Sequence, residues 1–293
     1  MIAVALMWSV AGVVTRQLDA AAAFEVTFWR SAFNALALVV LLCWLRGPAA
    51  LLASLRTGGR ALWLSGVCWC VMFTAFMVAL TLTTVANVLI TMSIAPLFTA
   101  LLSRAVLGHR LAARTWAAIV VAGVGIAWMY GQEVSGDARH VLGTAVALAV
   151  PVAAAVNWTL LQHLKGQGGR RGRGGPGPDM LAAVLVGALL STALTLPLAL
   201  PFAASPRDVG LLAMLGVGQL AIPCLLAVMV ARVLNAPEIS LLGLLEVVFG
   251  VAWAWLGAGE TPSPAVLSGG LLVLVALAAN AAADLRAGQR ATA

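Results

Sequence analysis

The chain has 293 residues, of which 62% are hydrophobic and only 9% charged, whereas soluble domains run at roughly 45–50% apolar and about 25% charged. So much apolar surface excludes a soluble enzyme core, and the net charge of +7 comes from short Arg clusters between apolar runs, which leaves no nucleic acid among the partners. The bilayer is the solvent of this chain: a hydrocarbon core of about 30 Å asks for roughly 20 apolar residues per helix, and most of the sequence falls into stretches of that length.

Apolar runs bounded by charge, Gly or Pro predict ten membrane-spanning helices, at 2–18, 24–45, 61–79, 83–103, 114–131, 141–164, 180–200, 209–231, 236–256 and 264–283. The runs are too long and too uniformly apolar for the dyad alternation of a membrane barrel. The first run, Ile2 to Val14, imitates a secretion signal. No basic residue precedes it, however, and Arg16 and Asp19 separate it from Ala20 to Ala23, so it reads as a short first helix carrying Trp8.

An ionisable side chain within a span costs a few kcal/mol and normally faces the bundle interior or a wet cavity. The second run holds two, with Glu25 near its outer end and Arg30 about two turns in. A structural salt bridge, or snorkelling of Arg30 toward headgroups, is favoured over solute contact. Glu25 does not share its face, because five residues turn a helix through about 500°. Cys43, Cys68, Cys70 and Cys224 all lie in apolar runs, where Cys behaves as a small hydrophobe. Cys68 and Cys70 point about 200° apart on a helix, so no shared metal is expected there.

Farther along, the fourth span carries Asn87, Ser93 and Pro96; the sixth carries Pro151, Asn157 and Trp158; and the eighth carries Gln219 and Pro223. These uncharged polar groups can line a solute path or hydrogen-bond neighbouring helices, at about 0.6–2 kcal/mol each, and the second role is favoured. Trp8 and Trp158 can equally be interfacial anchors. Each proline frees a backbone carbonyl, so Pro96, Pro151 and Pro223 mark expected kinks and candidate gating points. The stretch 165–179, KGQGGRRGRGGPGPD, reads as a flexible linker between the sixth and seventh spans. Glu238, behind Asn235, Ala236 and Pro237, reads as the cap of the ninth helix. Halfway along that helix stands Glu246, the deepest acid in the chain. Two roles fit it: a carboxylate that meets a solute amine or a coupling proton, or a structural carboxylate bonded by helix hydroxyls or amides.

With the N-terminus inside, the cytoplasmic loops collect Arg46, Arg56, Arg60, Arg104, Arg110, Arg114, Lys165, Arg170, Arg171, Arg173, Arg232, Arg286 and Arg290. The outer loops keep only Arg16, Arg139 and Arg207. This is the positive-inside bias of a ten-span inner-membrane protein with both termini cytoplasmic.

The two halves also resemble each other. APLFTALLSRAVLGHRLAARTW, from Ala95, can be laid on EVVFGVAWAWLGAGETPSPAVL, from Glu246, at a constant offset of 151, so that Pro96 faces Val247, Gly108 faces Gly259 and His109 faces Glu260. Five helices is an odd number, so the second copy enters the membrane from the opposite side. The expected fold is an all-α membrane protein of two inverted five-helix repeats, 1–131 and 141–283, with solute bound between the halves.

The segment APEISLLGLLEVVFGVAWAWLGAGETPS, from Ala236, is similar to the late part of an EamA-type domain of the drug/metabolite transporter superfamily. LMWSVAGVVTR near the start, TLTTVANVLITMSIAPLFTALL and LGHR resemble the other copy. The resemblance implies two copies, ten helices and export of a small solute. The chain departs from the family in having His109 where Glu is common, and Val247 after Glu246 where Pro is common. The second difference removes an expected kink from the ninth helix.

No G-x-x-x-x-G-K-[ST], H-E-x-x-H or G-x-S-x-G occurs, which removes ATP coupling within this chain and leaves little room for an intramembrane enzyme. No catalytic residue, cofactor or metal is expected. The function read from the sequence is a secondary carrier of a small organic solute, such as an amino acid or related metabolite, working by alternating access. A passive channel or a scaffold is the alternative. The partners are the solute, the lipid bilayer and a candidate coupling proton.

Overall fold

The structure, a computed structural model, describes residues 1–108, scattered positions between 113 and 128, 138–170, 180–259, 261 and 263–292. The expected fifth span, 114–131, lies largely outside the described residues, as do His109, Glu260 and residues 171–179 of the expected linker.

Every regular element among the described residues is helical. In chain order these are α1 (Ile2–Ser9), α2 (Ala11–Thr15), α3 (Ala23–Arg46), α4 (Pro48–Thr57), α5 (Gly59–Leu82), α6 (Val85–Met92), α7 (Ala95–Leu107), α8 (Ala138–Arg170), α9 (Leu181–Ala199), α10 (Pro206–Met214), a π-helical turn (Leu215–Ala221), α11 (Ile222–Val230), α12 (Ala236–Ala258) and α13 (Pro264–Thr292). Seven helices among the described residues are long and apolar enough to cross a membrane: Phe24–Arg46, Gly59–Leu82, Val85–Val106, Arg139–Lys165, Leu181–Ala199, Pro206–Val230 and Glu238–Gly257. Ile2–Thr15 and Leu267–Ala276 are shorter apolar helices. The chain is thus a multi-pass membrane protein.

Three local differences from the sequence reading have clear causes. Pro48 opens α4, a helix in what reads as a loop; the proline sits in the first turn, where its missing N–H costs nothing, and Leu51 turns inward. At the other end of the bundle, α8 continues through Arg170, so Lys165–Arg170 extend the sixth span where the linker was expected to begin. Lys165 Nζ donates to the Val233 carbonyl at 2.8 Å, tying that extension to the end of α11.

The third difference concerns the prolines. Pro96 does not kink a continuous helix: the chain breaks at Ser93 and Ile94, and Pro96 lies in the first turn of α7. It has no N–H for the Met92 carbonyl, so the helix restarts instead of running through. Pro223 occupies the same place in α11, directly after the π turn, where Ile222 N–H reaches back five residues to Val217 O. Pro151, by contrast, lies inside α8, which runs on past it.

The helix ends are specified locally. Thr84 caps α6 through the Asn87 N–H, and Asn235 caps α12 in a capping box with Glu238, whose carboxylate accepts the Asn235 N–H at 2.8 Å. Gly108 ends α7 and Gly259 ends α12, both left-handed, at φ 72° and φ 66°. That conformation favours glycine over any residue with a Cβ.

Two apolar clusters hold the bundle together. One gathers Leu38 and Leu42 of α3, Leu62 and Trp69 of α5, Leu185 of α9 and Cys224 of α11. The other gathers Met77 and Leu80 of α5, Val88 and Leu89 of α6, Leu212 of α10, Leu215 and Val247. Close approach between α5 and α9 depends on Gly187, where a Cβ would collide with the Trp69 Cβ and lie 2.9 Å from the Gly66 carbonyl. Residues from both clusters wall a central cavity.

Candidate functional site

A cavity of about 120 Å³ lies where α1, α3, α5, α8, α11 and α12 converge. Its wall is mainly aromatic and thioether: Trp8, Trp69, Met72, Phe73, Phe76, Met92 and Trp158. Trp158 meets Trp69 edge-on, with centroids 5.8 Å apart, and Phe73 lies 5.5 Å from Trp69. The polar lining comes from Arg30, Gln219, Cys224, Ser240 and Glu246.

Arg30 is only 1% exposed and is held from three sides. One terminal nitrogen donates to Gln219 Oε1 at 3.2 Å and the other to the Phe73 carbonyl at 3.3 Å. The guanidinium carbon stands 5.6 Å from the Phe76 ring centroid, close enough for a cation–π contact. Its Nε has no partner among the described residues. Gln219 is fixed in turn by donating to the Trp8 carbonyl at 3.1 Å, so α1, the π turn and α3 lock one another. The π turn lies against α3 because residue 216 is glycine: a Cβ there would come within 2.6 Å of the Arg30 carbonyl and 2.9 Å of the Asn34 nitrogen. The sequence reading favoured a salt bridge or snorkelling for Arg30. Neither occurs, because a glutamine, a carbonyl and a ring meet the cation inside the bundle before it can reach the headgroups.

Glu246 projects from the middle of α12 into the same cavity. It is 9% exposed, and no hydrogen bond or ion pair reaches it from the described residues. The structural alternative, a carboxylate bonded by hydroxyls or amides, is therefore not what the geometry displays. Ser240 lies on the same lining but bonds to Thr99 at 2.9 Å.

The other expected site residues divide by position. Trp8, Trp158 and Gln219 line the cavity with Arg30 and Glu246. Asn87, Ser93 and Asn157 do not line it. Asn87 Nδ2 donates to the Thr83 hydroxyl at 3.2 Å, and Ser93 Oγ donates to the Ile90 carbonyl at 2.6 Å. Asn157 accepts from Ser65 at 2.6 Å, joining α8 to α5. Pro96, Pro151 and Pro223 stand outside the lining, although Ala95, Val150 and Cys224 beside them belong to it.

The sequence reading passed over Trp69, Met72, Phe73 and Phe76. Their spacing of 0, 3, 4 and 7 puts all four on one face of α5, and that stripe was the available signal. In a membrane helix the lipid-facing side is equally apolar, which is why the stripe does not stand out.

An all-helical bundle with a mostly apolar cavity and an acid and a base set into its wall defines the class: a multi-pass membrane protein with an internal cavity. Residues 1–131, a little under half of the chain, match the model of the EamA-like transporter family, which lies within the drug/metabolite transporter superfamily. A solved structure described only as "Crystal structure of protein" shares the fold, with a TM-score of 0.64 at 17% identity over 94% of each chain. No curated protein matches the sequence.

Proposed function

We propose that this protein is a secondary carrier of a small zwitterionic solute, an amino acid or a related metabolite, with the solute carboxylate at Arg30 and its amine at Glu246. The observation that carries this reading is that Arg30 and Glu246 line one cavity without pairing. A planar guanidinium with an unpartnered Nε suits a carboxylate, and an unbonded acid suits an ammonium. The Trp69, Phe73 and Trp158 wall would cover the apolar part of the solute.

Transport would proceed by alternating access between two inverted five-helix repeats, 1–131 and 141–283, which together make ten spans. Local geometry supports the repeat. The caps Thr84 and Asn235 fall at the same offset as the left-handed terminators Gly108 and Gly259, so the α6–α7 pair and α12 start and stop at corresponding positions. Where Pro96 follows a break in the first copy, Val247 stands in the second, and α12 is continuous. The positive-inside bias supports an inner-membrane location with both termini cytoplasmic. Export is the direction that the family resemblance favours, and a proton competing for Glu246 is the candidate coupling ion.

The test is counterflow of radiolabelled amino acids in proteoliposomes. Saturable, competable flux that falls in Glu246→Gln and in Arg30→Gln supports the carrier. Flux linear in solute concentration would identify a passive channel, and no flux for any zwitterion would refute the reading.

A further inference from the structure

At the end of the bundle where α3 and α10 begin, two buried carboxylates exchange partners. Glu25, in the first turn of α3, is 0% exposed. Its oxygens accept the backbone N–H groups of Ala203 and Ala204, both at 2.9 Å, and the Trp29 indole at 3.2 Å. Asp208, in the first turn of α10, is also 0% exposed. It accepts the N–H groups of Asp19 at 2.9 Å and Ala20 at 3.0 Å, besides that of Ser205 in its own capping box.

Each acid therefore holds the loop that leads into the other acid's helix. Residues 19 and 20 lie in the connection before α3, and residues 203 and 204 in the connection before α10. An ion pair between Arg207 and Asp19, at 2.6 Å, closes the exposed rim of the same contact. Phe202 lies on Phe28 and Trp29, with centroids 5.1 Å and 5.0 Å away.

None of these residues lines the cavity, which instead reaches Met1 at the far end of α1 from Arg16. The clasp joins one chain half to the other across the end that the positive-inside bias makes external. We infer that Glu25 and Asp208 are the latch of an outer gate: a reciprocal carboxylate clasp that must release both loops before the cavity can open to that side. The acids are suited to this task because backbone N–H groups bound to a buried carboxylate lose their partners together when the loops part. The inference rests on the carrier reading for its purpose, but its geometry can be tested without transport.

The experiment uses the full chain in right-side-out vesicles, with Cys43, Cys68, Cys70 and Cys224 replaced by Ala and a reporter, Ala154→Cys, placed in the cavity wall. A membrane-impermeant maleimide is added outside. Labelling is expected to rise about tenfold or more in Glu25→Gln with Asp208→Asn, given that one charge-assisted hydrogen bond corresponds to roughly a factor of ten. Unchanged labelling in a variant that keeps its thermal transition would overturn the latch. A second, surface-only arm uses Asp19→Cys with Arg207→Cys, joined by a cleavable bifunctional thiol reagent. Loss of external labelling on joining, restored on cleavage, supports the latch; labelling at the unjoined rate overturns it. Failure of the carrier reading would show separately, as absence of saturable flux in the unsubstituted protein whatever the labelling result.

Discussion

Arg30 and Glu246 line one cavity and do not form an ion pair. A buried base and a buried acid gain from closing on each other only where good geometry and further hydrogen bonds repay their desolvation. Here the base is bonded to Gln219 and the Phe73 carbonyl, and the acid is left to the cavity. The packing around Arg30 therefore satisfies the base with other groups, and both side chains face the cavity.

Arg30→Lys keeps the charge and loses the planar fork that meets Gln219 and the Phe73 carbonyl together. Hydrogen bonds to charged groups contribute about 1.5–3 kcal/mol, so the KM for a transported amino acid is expected to rise by about 10-fold to 100-fold. A lysine variant with unchanged KM would show that the fork is not read by the solute.

Glu246→Gln separates the amine from the rest of the solute. Binding of an amino acid should weaken by about tenfold or more, while its des-amino analogue binds with nearly unchanged affinity. Thermal-shift titration of the detergent-purified protein measures both, because a ligand stabilises the state it binds. Equal losses for the two ligands would place the amine elsewhere.

Gly216→Val tests the seat of the π turn. The added Cβ meets backbone of α3 at Arg30 and Asn34, which cannot rotate away. Overpacking of this kind costs about 1–3 kcal/mol. The variant should melt at lower temperature and lose solute affinity together, because Gln219 is carried on the same turn. A lower melting temperature with intact affinity would uncouple Gln219 from the site.

Asn157 and Gln219 are both buried amides, and they should behave differently. Replacing Asn157 and Ser65 together, by Leu and Ala, removes an α5–α8 hydrogen bond worth about 0.6 kcal/mol on the average for membrane helices, and should spare transport. Gln219→Leu removes one of the three holds on Arg30 together with the link to the Trp8 carbonyl, and should reduce flux severely. Equal losses in the two variants would contradict the cavity assignment.

Orientation is checked independently. A reporter fused after Pro178 is expected to face the cytoplasm and one after Gly136 the exterior, as the arginine-rich segment 170–173 requires. Reversed signals at both sites would invert the bundle and place the Glu25 and Asp208 clasp inside.

Much of this protein could be read from its residues. Hydropathy measures the transfer of each side chain into lipid, so it located the apolar runs that became α3, α5, α8, α9 and α12 without any knowledge of contacts. Charge in lipid is costly enough that Arg30 and Glu246 stood out at once, and both line the cavity. Cap chemistry was legible in part: Glu238 reads as an acid at the start of the ninth helix, and in the fold it closes a capping box on Asn235, which is the N-cap itself.

The direction in which each helix faces had to wait for packing. Lipid and neighbouring helices are both apolar, so a membrane helix carries little amphipathic stripe to reveal its inner side. Trp69, Met72, Phe73 and Phe76 turn into the cavity, whereas Asn87 and Ser93 bond to chain three or four residues away and Asn157 bonds across to Ser65 of α5. The partners of Glu25 and Asp208 lie far away along the sequence, where no local rule reaches them. Depth in the membrane is a one-dimensional quantity that composition encodes, and azimuth and long-range pairing are settled only when the helices meet.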